Sequence, residues 1–244
     1  MVEALVENLK FNNVDLRLNT RALRITQRYL GFQVQLKDRT TLETDSLILA
    51  TPAYVSGQLL ASLNPQLAFT LQSIPYVSTA TVSLAYRLSD VPRELDGYGY
   101  VIPRREGRKA LACTWTSTKF PHRAPEGYAL IRVFAGRAGQ ELPRDEKQLL
   151  ELAKEELRLT LGITAEPLIW RAFMWEKAMP QYNLGHPERL KRIDAAMHHH
   201  PDLALAGNGY HGIGIPDCIH SGELAVERIL KFLHFDVEIS KIQK

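Results

Sequence analysis

The chain has 244 residues, 45% hydrophobic and 23% charged, enough to bury a core of one or two domains. Its 30 basic residues are interspersed with 27 acidic ones for a net charge of +3, with no single-sign run of the kind that grips nucleic acid, so no nucleic-acid partner is expected. Cys113 and Cys218 lie far apart with no CxxC or Cys/His ligand spacing, which argues against a metal site or a disulfide framework and points to a reducing cytosol.

Residues 2–10 read as an amphipathic helix with Val2, Leu5, Val6 and Leu9 on one face, not as a signal peptide, and no apolar run reaches membrane-spanning length. Peripheral membrane contact stays open. Val14, Leu16 and Leu18 switch to period two and predict a strand. Leu23 and Ile25, then Phe32, Val34 and Leu36, predict antiparallel strands joined by a turn at Gly31. The run Leu47 to Ala50 reads as a buried strand closed by Thr51-Pro52. From 76 to 137 the pattern is strand-rich, with segments 76–86, 97–103, 110–117 and 128–136 forming one mostly antiparallel sheet. Residues 145–161 give the clearest helix, with Leu149, Leu150, Ala153, Leu157 and Leu161 on one face and Gly162 ending it. A strand over 166–175, a short helix over 188–198 and a final helix over 218–233 follow, and the tail from Asp236 has no periodic face.

Residues 203–225 place a short apolar strand, a glycine-dense loop and an amphipathic helix in succession. Gly207, Gly209, Gly212 and Gly214 would let the backbone approach a ligand closely, and the amides of a helix beginning near Asp217 would face it. Gly207 to Gly212 matches GxGxxG in form but not in context. A dinucleotide fingerprint opens a helix directly and returns to a second parallel strand, whereas here Pro216 falls inside the would-be helix and a charged tail follows. On spacing alone, a glycine-rich turn joining strand to helix fits better.

The C-terminal segment resembles the FAD-contacting segment of protoporphyrinogen and coproporphyrinogen oxidases, members of the amine-oxidase-like flavoprotein superfamily. Four further blocks resemble the same family in the same order: Tyr76 to Tyr86, Gly97 to Pro103, Phe120 to Gly127, and Met179 to His186. The resemblance implies an α+β fold: a mostly antiparallel substrate-domain sheet with helices, plus partial FAD-domain elements from both ends of the chain. It implies an FAD part over 1–53, a substrate-binding domain over 54–203, an FAD-side strand-loop-helix over 204–235 and a tail over 236–244. FAD is the implied cofactor. Gly207 and Asn208 would lie near its ribityl-pyrophosphate, and Gly214, Ile215 and Cys218 near its ring. Leu23 would flank the adenine and Ala50, Thr51 and Pro52 would pass close to the cofactor, although a strand leucine and a strand-ending Thr-Pro are also ordinary core and turn features. Tyr98, Gly99, Val101, Thr114 and Phe134 would sandwich a tetrapyrrole; each taken alone also reads as an inward residue of a sheet.

The activity implied is oxidation of a porphyrinogen, with oxygen accepting the electrons as hydrogen peroxide. No catalytic acid or base is assigned, because hydride removal to a flavin proceeds without a dedicated protein base, so His211 and His220 decide little. Gln181, Tyr182 and His186 either shape a pocket wall or form a rigid connector, and the connector fits better. The family's N-terminal pyrophosphate loop and a propionate-binding arginine have no counterpart here, so the chain resembles a C-terminal half whose complete site needs the missing N-terminal half. Another amine-oxidase-like flavoprotein, or a non-catalytic subunit completed by a separate chain, are the alternatives.

Overall fold

The structure, a computed structural model, describes residues 2–234; the expectation for the tail from Asp236 falls outside them. In chain order the elements are α1 (Val2–Phe11), β1 (Ala22–Gln27), β2 (Phe32–Leu36), β3 (Thr41–Thr44), β4 (Leu47–Leu49), α2 (Ala53–Leu60), α3 (Pro65–Gln72), β5 (Tyr76–Arg87), β6 (Gly99–Val101) and β7 (Ala110–Trp115). The four-residue α4 (Thr116–Lys119), β8 (Tyr128–Ala135), α5 (Glu146–Leu161), β9 (Ile169–Pro180), α6 (His186–Met197), β10 (Leu203–Leu205) and α7 (Ile215–Phe232) follow. The fold is α+β with mostly antiparallel sheets, as expected. Among the described residues, no helix is long and apolar enough to cross a membrane.

Among the described residues, 2–74 and 182–234 form one compact unit, and Pro75–Gln181 the other. The boundaries expected at 53/54 and 203/204 lie elsewhere: α2, α3 and α6 belong with the terminal segments. The first unit holds the antiparallel β1-β2-β3 sheet and a parallel β4-β10 pair. The parallel pair joins segments remote in sequence, and it sets Leu47, Ile48 and Leu49 opposite Leu203, Ala204 and Leu205.

Three local expectations differ from the structure. Residues 14–18 form no strand; Val14, Leu16 and Leu18 are exposed and have no sheet neighbour to complete a backbone ladder. The apolar stripe of α1 exists, but none of its residues is buried. The last helix begins at Ile215, ahead of the expected start at 218, with Pro216 in its first turn, where proline replaces an amide that has no helical partner anyway. The helices α2 and α3 lie outside the expected elements. For α3 the signal is present in the sequence: Asn64 accepts the Leu67 N–H at 3.0 Å, and Pro65 opens the helix.

The second unit is a five-stranded antiparallel sheet ordered β6-β7-β8-β5-β9 with α5 packed on one face. Ala80, Val82, Leu84 and Tyr86 of β5 and Ala129, Ile131 and Val133 of β8 meet Leu149, Ala153, Leu157 and Leu161 of α5. Each large apolar side chain in that layer contributes about 1.5–3 kcal/mol through burial. Asp145 caps α5 by accepting the Gln148 N–H at 3.1 Å, and Gly162 ends it in the left-handed conformation.

One polar cluster interrupts that core. Glu156 is 3% exposed and accepts from Arg108 Nη1 at 2.9 Å and from the Tyr100 hydroxyl at 3.3 Å, while Thr160 Oγ1 lies 2.6 Å from the same hydroxyl. This cluster ties β6 to α5. Burial pushes the neighbouring Cys113 thiol up to about 12, so it stays protonated and inert. Arg108→Ala should destabilise the chain by about 2–3 kcal/mol in urea unfolding, below the range for a fully buried pair because Arg108 reaches solvent. A loss under about 0.5 kcal/mol would mean that Glu156 is neutralised or hydrated without its arginine.

Candidate functional site

In the first unit, β4 runs through Ala50, Thr51 and Pro52 into α2, and its parallel neighbour β10 runs through the glycine loop into α7. The Ala206 N–H donates to the Leu49 carbonyl at 2.9 Å, so Thr51 and Gly207 leave the pair from adjacent strands at one edge. Ligands of open α/β folds bind outside the carboxyl ends of parallel strands, where helix N-termini gather. Thr51 is held in its turn by a 2.8 Å contact between its hydroxyl and that of buried Ser56. A bulge between Ala22 and Arg24 releases Leu23 from the β1 ladder, and Leu23 and Thr51 line one cavity of about 520 Å³ with Arg21, Val55 and Leu59.

Gly207 adopts φ +118°, a conformation closed to most side chains, and its N–H donates to Ser221 Oγ of α7 at 3.0 Å. The start of α7 differs from expectation. The Gly214 N–H is not free; it donates to Asp217 Oδ2 at 3.0 Å, and the Asp217 side chain folds over Gly212 and Gly214, where a Cβ would stand 2.5 Å and 2.9 Å from it. Pro216 has no N–H. With a carboxylate across its first turn, this helix end suits a neutral ring better than a phosphate. Ile213, Ile215 and Ile219 are exposed there, and Cys218 is half-buried beside them. The residues thus fit apolar contact with an uncharged flat ring such as oxidised isoalloxazine.

Tyr182 and His186 act as the connector that the sequence suggests. The Tyr182 hydroxyl donates to the Asn208 carbonyl at 2.7 Å, and His186 Nε2 lies 2.9 Å from the Tyr210 carbonyl, which requires the proton on that nitrogen. The rings stack with centroids 4.2 Å apart. Two carbonyls of the glycine loop are therefore fixed from one side. His211 is exposed, and the exposed His220 pairs with Glu223 at 3.3 Å.

In the second unit, register sorts the predicted substrate residues. Gly99 pairs with Thr114, Thr114 with Arg132, Arg132 with Ser83, and Ser83 with Arg171, giving one row on the sheet face opposite α5. The next row is Val101, Ala112, Phe134, Thr81 and Phe173. Gly99 is required where it stands: at φ +131° a Cβ would sit 2.0 Å from the Cys113 carbonyl oxygen. Trp175 lies beside the second row, its indole N–H donating to Thr81 Oγ1 at 3.2 Å. Tyr98 is apart from these rows. It precedes β6, is 68% exposed, and accepts the Trp115 N–H through its carbonyl. Sequence reasoning misses Arg132, Ser83, Arg171, Phe173 and Trp175; the alternation Ile169, Arg171, Phe173, Trp175 marks one strand face, but not the strand it pairs with.

Removing the Tyr182 hydroxyl should loosen the glycine loop. Tyr182→Phe is expected to cost about 1 kcal/mol in urea unfolding, and His186→Ala about 2–3 kcal/mol because it also empties a buried stacked position. If both variants match the wild type, the loop is held by other contacts.

Residues 1–230 match the family described as flavin containing amine oxidoreductase. The chain is 32% identical over 236 residues to a coproporphyrinogen III oxidase of Bacillus subtilis, covering 96% of this chain and 49% of that protein. It is 30% identical over 207 residues to a chloroplastic protoporphyrinogen oxidase of Nicotiana tabacum, covering 79% of this chain and 37% of that one. A crystal structure of an Exiguobacterium sp. 255-15 protein described as a protoporphyrinogen oxidase superimposes with a TM-score of 0.80 at 28% identity, over 93% of this chain and 50% of that chain. Reduced UDP-galactopyranose mutase shares the fold, with a TM-score of 0.71 at 14% identity over 99% of this chain and 52% of that one. The chain spans about half the length of the curated bacterial relatives it matches. From its first strand pair to its final helix, it belongs to the flavin-containing amine oxidoreductase family.

Proposed function

We propose that this chain is the C-terminal half of an FAD-dependent porphyrinogen oxidase, acting on a porphyrinogen with oxygen as electron acceptor and hydrogen peroxide as product. The observation that carries the reading is the open sheet face, where Gly99, Val101, Thr114 and Phe134 stand in two adjacent rows. A five-strand row spans about 19 Å at the usual strand spacing, wide enough for a flat macrocycle. Its apolar middle favours a large ring by burial, and the Gly99 position leaves the surface low at one end. Tyr98 is the weakest member of the proposed wall, because it lies outside the rows.

The cofactor contacts proposed are Leu23, Ala50, Thr51 and Pro52 on one strand side, Gly207 and Asn208 on the other, and Gly214, Ile215 and Cys218 at the start of α7. Their support is the shared edge of β4 and β10 and the cavity between Leu23 and Thr51. FAD, when bound, supplies the hydride acceptor and the route to oxygen. The protein's own part is to orient: Tyr182 and His186 hold the loop carbonyls, and the Ile213 and Ile215 side chains displace water from the ring edge. No titrating side chain is assigned a catalytic role.

On this reading the chain alone holds part of the cofactor and turns over no substrate, and the remaining half of a full-length oxidase completes the site. The uncovered apolar residues of α1, including Val2, Leu5 and Phe11, supply a surface for that half or for peripheral membrane contact. Cytosolic location is supported by two free thiols.

Phe134→Asp tests the substrate face. Titration with coproporphyrin III, followed by tryptophan quenching, should show Kd raised about tenfold or more, since a carboxylate replaces the ring at the centre of the apolar row and repels substrate carboxylates. The thermal midpoint should stay close to that of the wild type. Unchanged porphyrin binding would refute the substrate-face assignment, and wholesale unfolding would make Phe134 a core residue.

A further inference from the structure

Arg132 on β8 and Arg171 on β9 are both register partners of Ser83 on β5. Directly paired strand residues emerge on the same face, so the two guanidinium groups rise from the open side of the sheet, their backbones two strand spacings, about 10 Å, apart. Both are exposed, while their strand neighbours Ile131, Val133 and Ala172 are buried on the α5 side. Arg132 Nε donates to Ser83 Oγ at 3.0 Å, which fixes its direction, and Arg171 reaches only the Trp170 carbonyl, at 3.5 Å. Among the described residues neither has a carboxylate partner, unlike Arg108 with Glu156 and Arg158 with Glu155. Arg132 stands on the interior strand β8 and Arg171 on the edge strand β9, both beside the apolar row, where two unpaired guanidinium groups are well placed for an anion.

The two arginines lie on one side of the apolar row. The row Val101, Ala112, Phe134, Thr81, Phe173 has the arginine row along one edge and Trp175 with Thr79 along the other. A flat ring lying on the apolar row would meet positive charge at one rim and an indole at the opposite rim. We propose that Arg132 and Arg171 bind carboxylate groups at the rim of the porphyrinogen and so fix the in-plane orientation of the macrocycle. This rests on the substrate reading of the open face and adds the groups that recognise substrate charge. Guanidinium suits the task because it pairs a carboxylate through two parallel N–H donors. Ser83 between them keeps Arg132 aimed and leaves room for a carboxylate oxygen.

The test is titration of the 244-residue chain with coproporphyrin III at low ionic strength. Arg132→Gln/Arg171→Gln should raise Kd roughly tenfold, with the gap narrowing at high salt and Arg132→Lys/Arg171→Lys recovering part of the loss. A tetracationic porphyrin of the same ring size should bind the glutamine variant no more weakly than the wild type. If the glutamine variant binds coproporphyrin III like the wild type while Phe134→Asp weakens it, the arginine assignment is overturned and the substrate face stands. If the wild type shows no saturable quenching, both fall. Equal loss for the anionic and cationic porphyrins, or no recovery with lysine, would make the arginines structural and overturn the proposal.

Discussion

Because successive side chains of a strand point to opposite faces, burying Ala129, Ile131 and Val133 of β8 under α5 forces Leu130, Arg132 and Phe134 onto the other side. The same constraint acts on β5 and β9 through their pairing, so one packed helix decides the composition of an entire open surface. A register slip of one residue would place Arg132 in the core and Ile131 in water, a change costing far more than the few kcal/mol of net stability a domain possesses. The open face is therefore as strictly specified as the core. The Tyr100–Glu156–Arg108 cluster extends that control to β6, the short edge strand that carries Gly99 and Val101.

The first unit depends on a contact of a different kind. Parallel pairing of β4 with β10 joins residues remote in sequence, and three reinforcements surround it. The Leu47 N–H donates to the Asp202 carbonyl at 2.9 Å, and Gln27 reaches the Asp202 carboxylate at 3.2 Å. Arg228 of α7 donates to the Leu203 carbonyl at 2.8 Å and to the His200 carbonyl at 3.2 Å. The guanidinium thus serves β10 and the backbone just beyond α6 at once, leaving the glycine loop suspended between two fixed supports. Tyr182 and His186 then hold the loop itself.

Much of this is legible in the sequence because it is local. The stripe of Leu149, Ala153, Leu157 and Leu161 marks α5, Gly162 marks its end, and alternation marks the strands of the second unit. The glycine loop and β10 emerge from a block that resembles the family and β4 from its apolar run, and the structure pairs the two strands side by side. What escapes requires knowledge of pairing. Period-two alternation makes a strand only where a neighbour takes up its backbone hydrogen bonds, and Val14, Leu16 and Leu18 have the pattern without the neighbour. Asp217 lies at a helix end that the sequence presents as a source of free amides, but a carboxylate three residues into a helix turns back on the residue before it. Arg132 and Arg171 look like ordinary solvated charges until Ser83 is seen between them.

The proposed function requires a flat, carboxylated ring on the sheet face opposite α5. A crystal structure of the chain with coproporphyrin III tests it directly. The macrocycle is expected over Val101, Phe134 and Phe173 with its carboxylates turned toward Arg132 and Arg171. A porphyrin seated instead against α5, in the cleft lined by Arg108, Lys147 and Leu159, would contradict it.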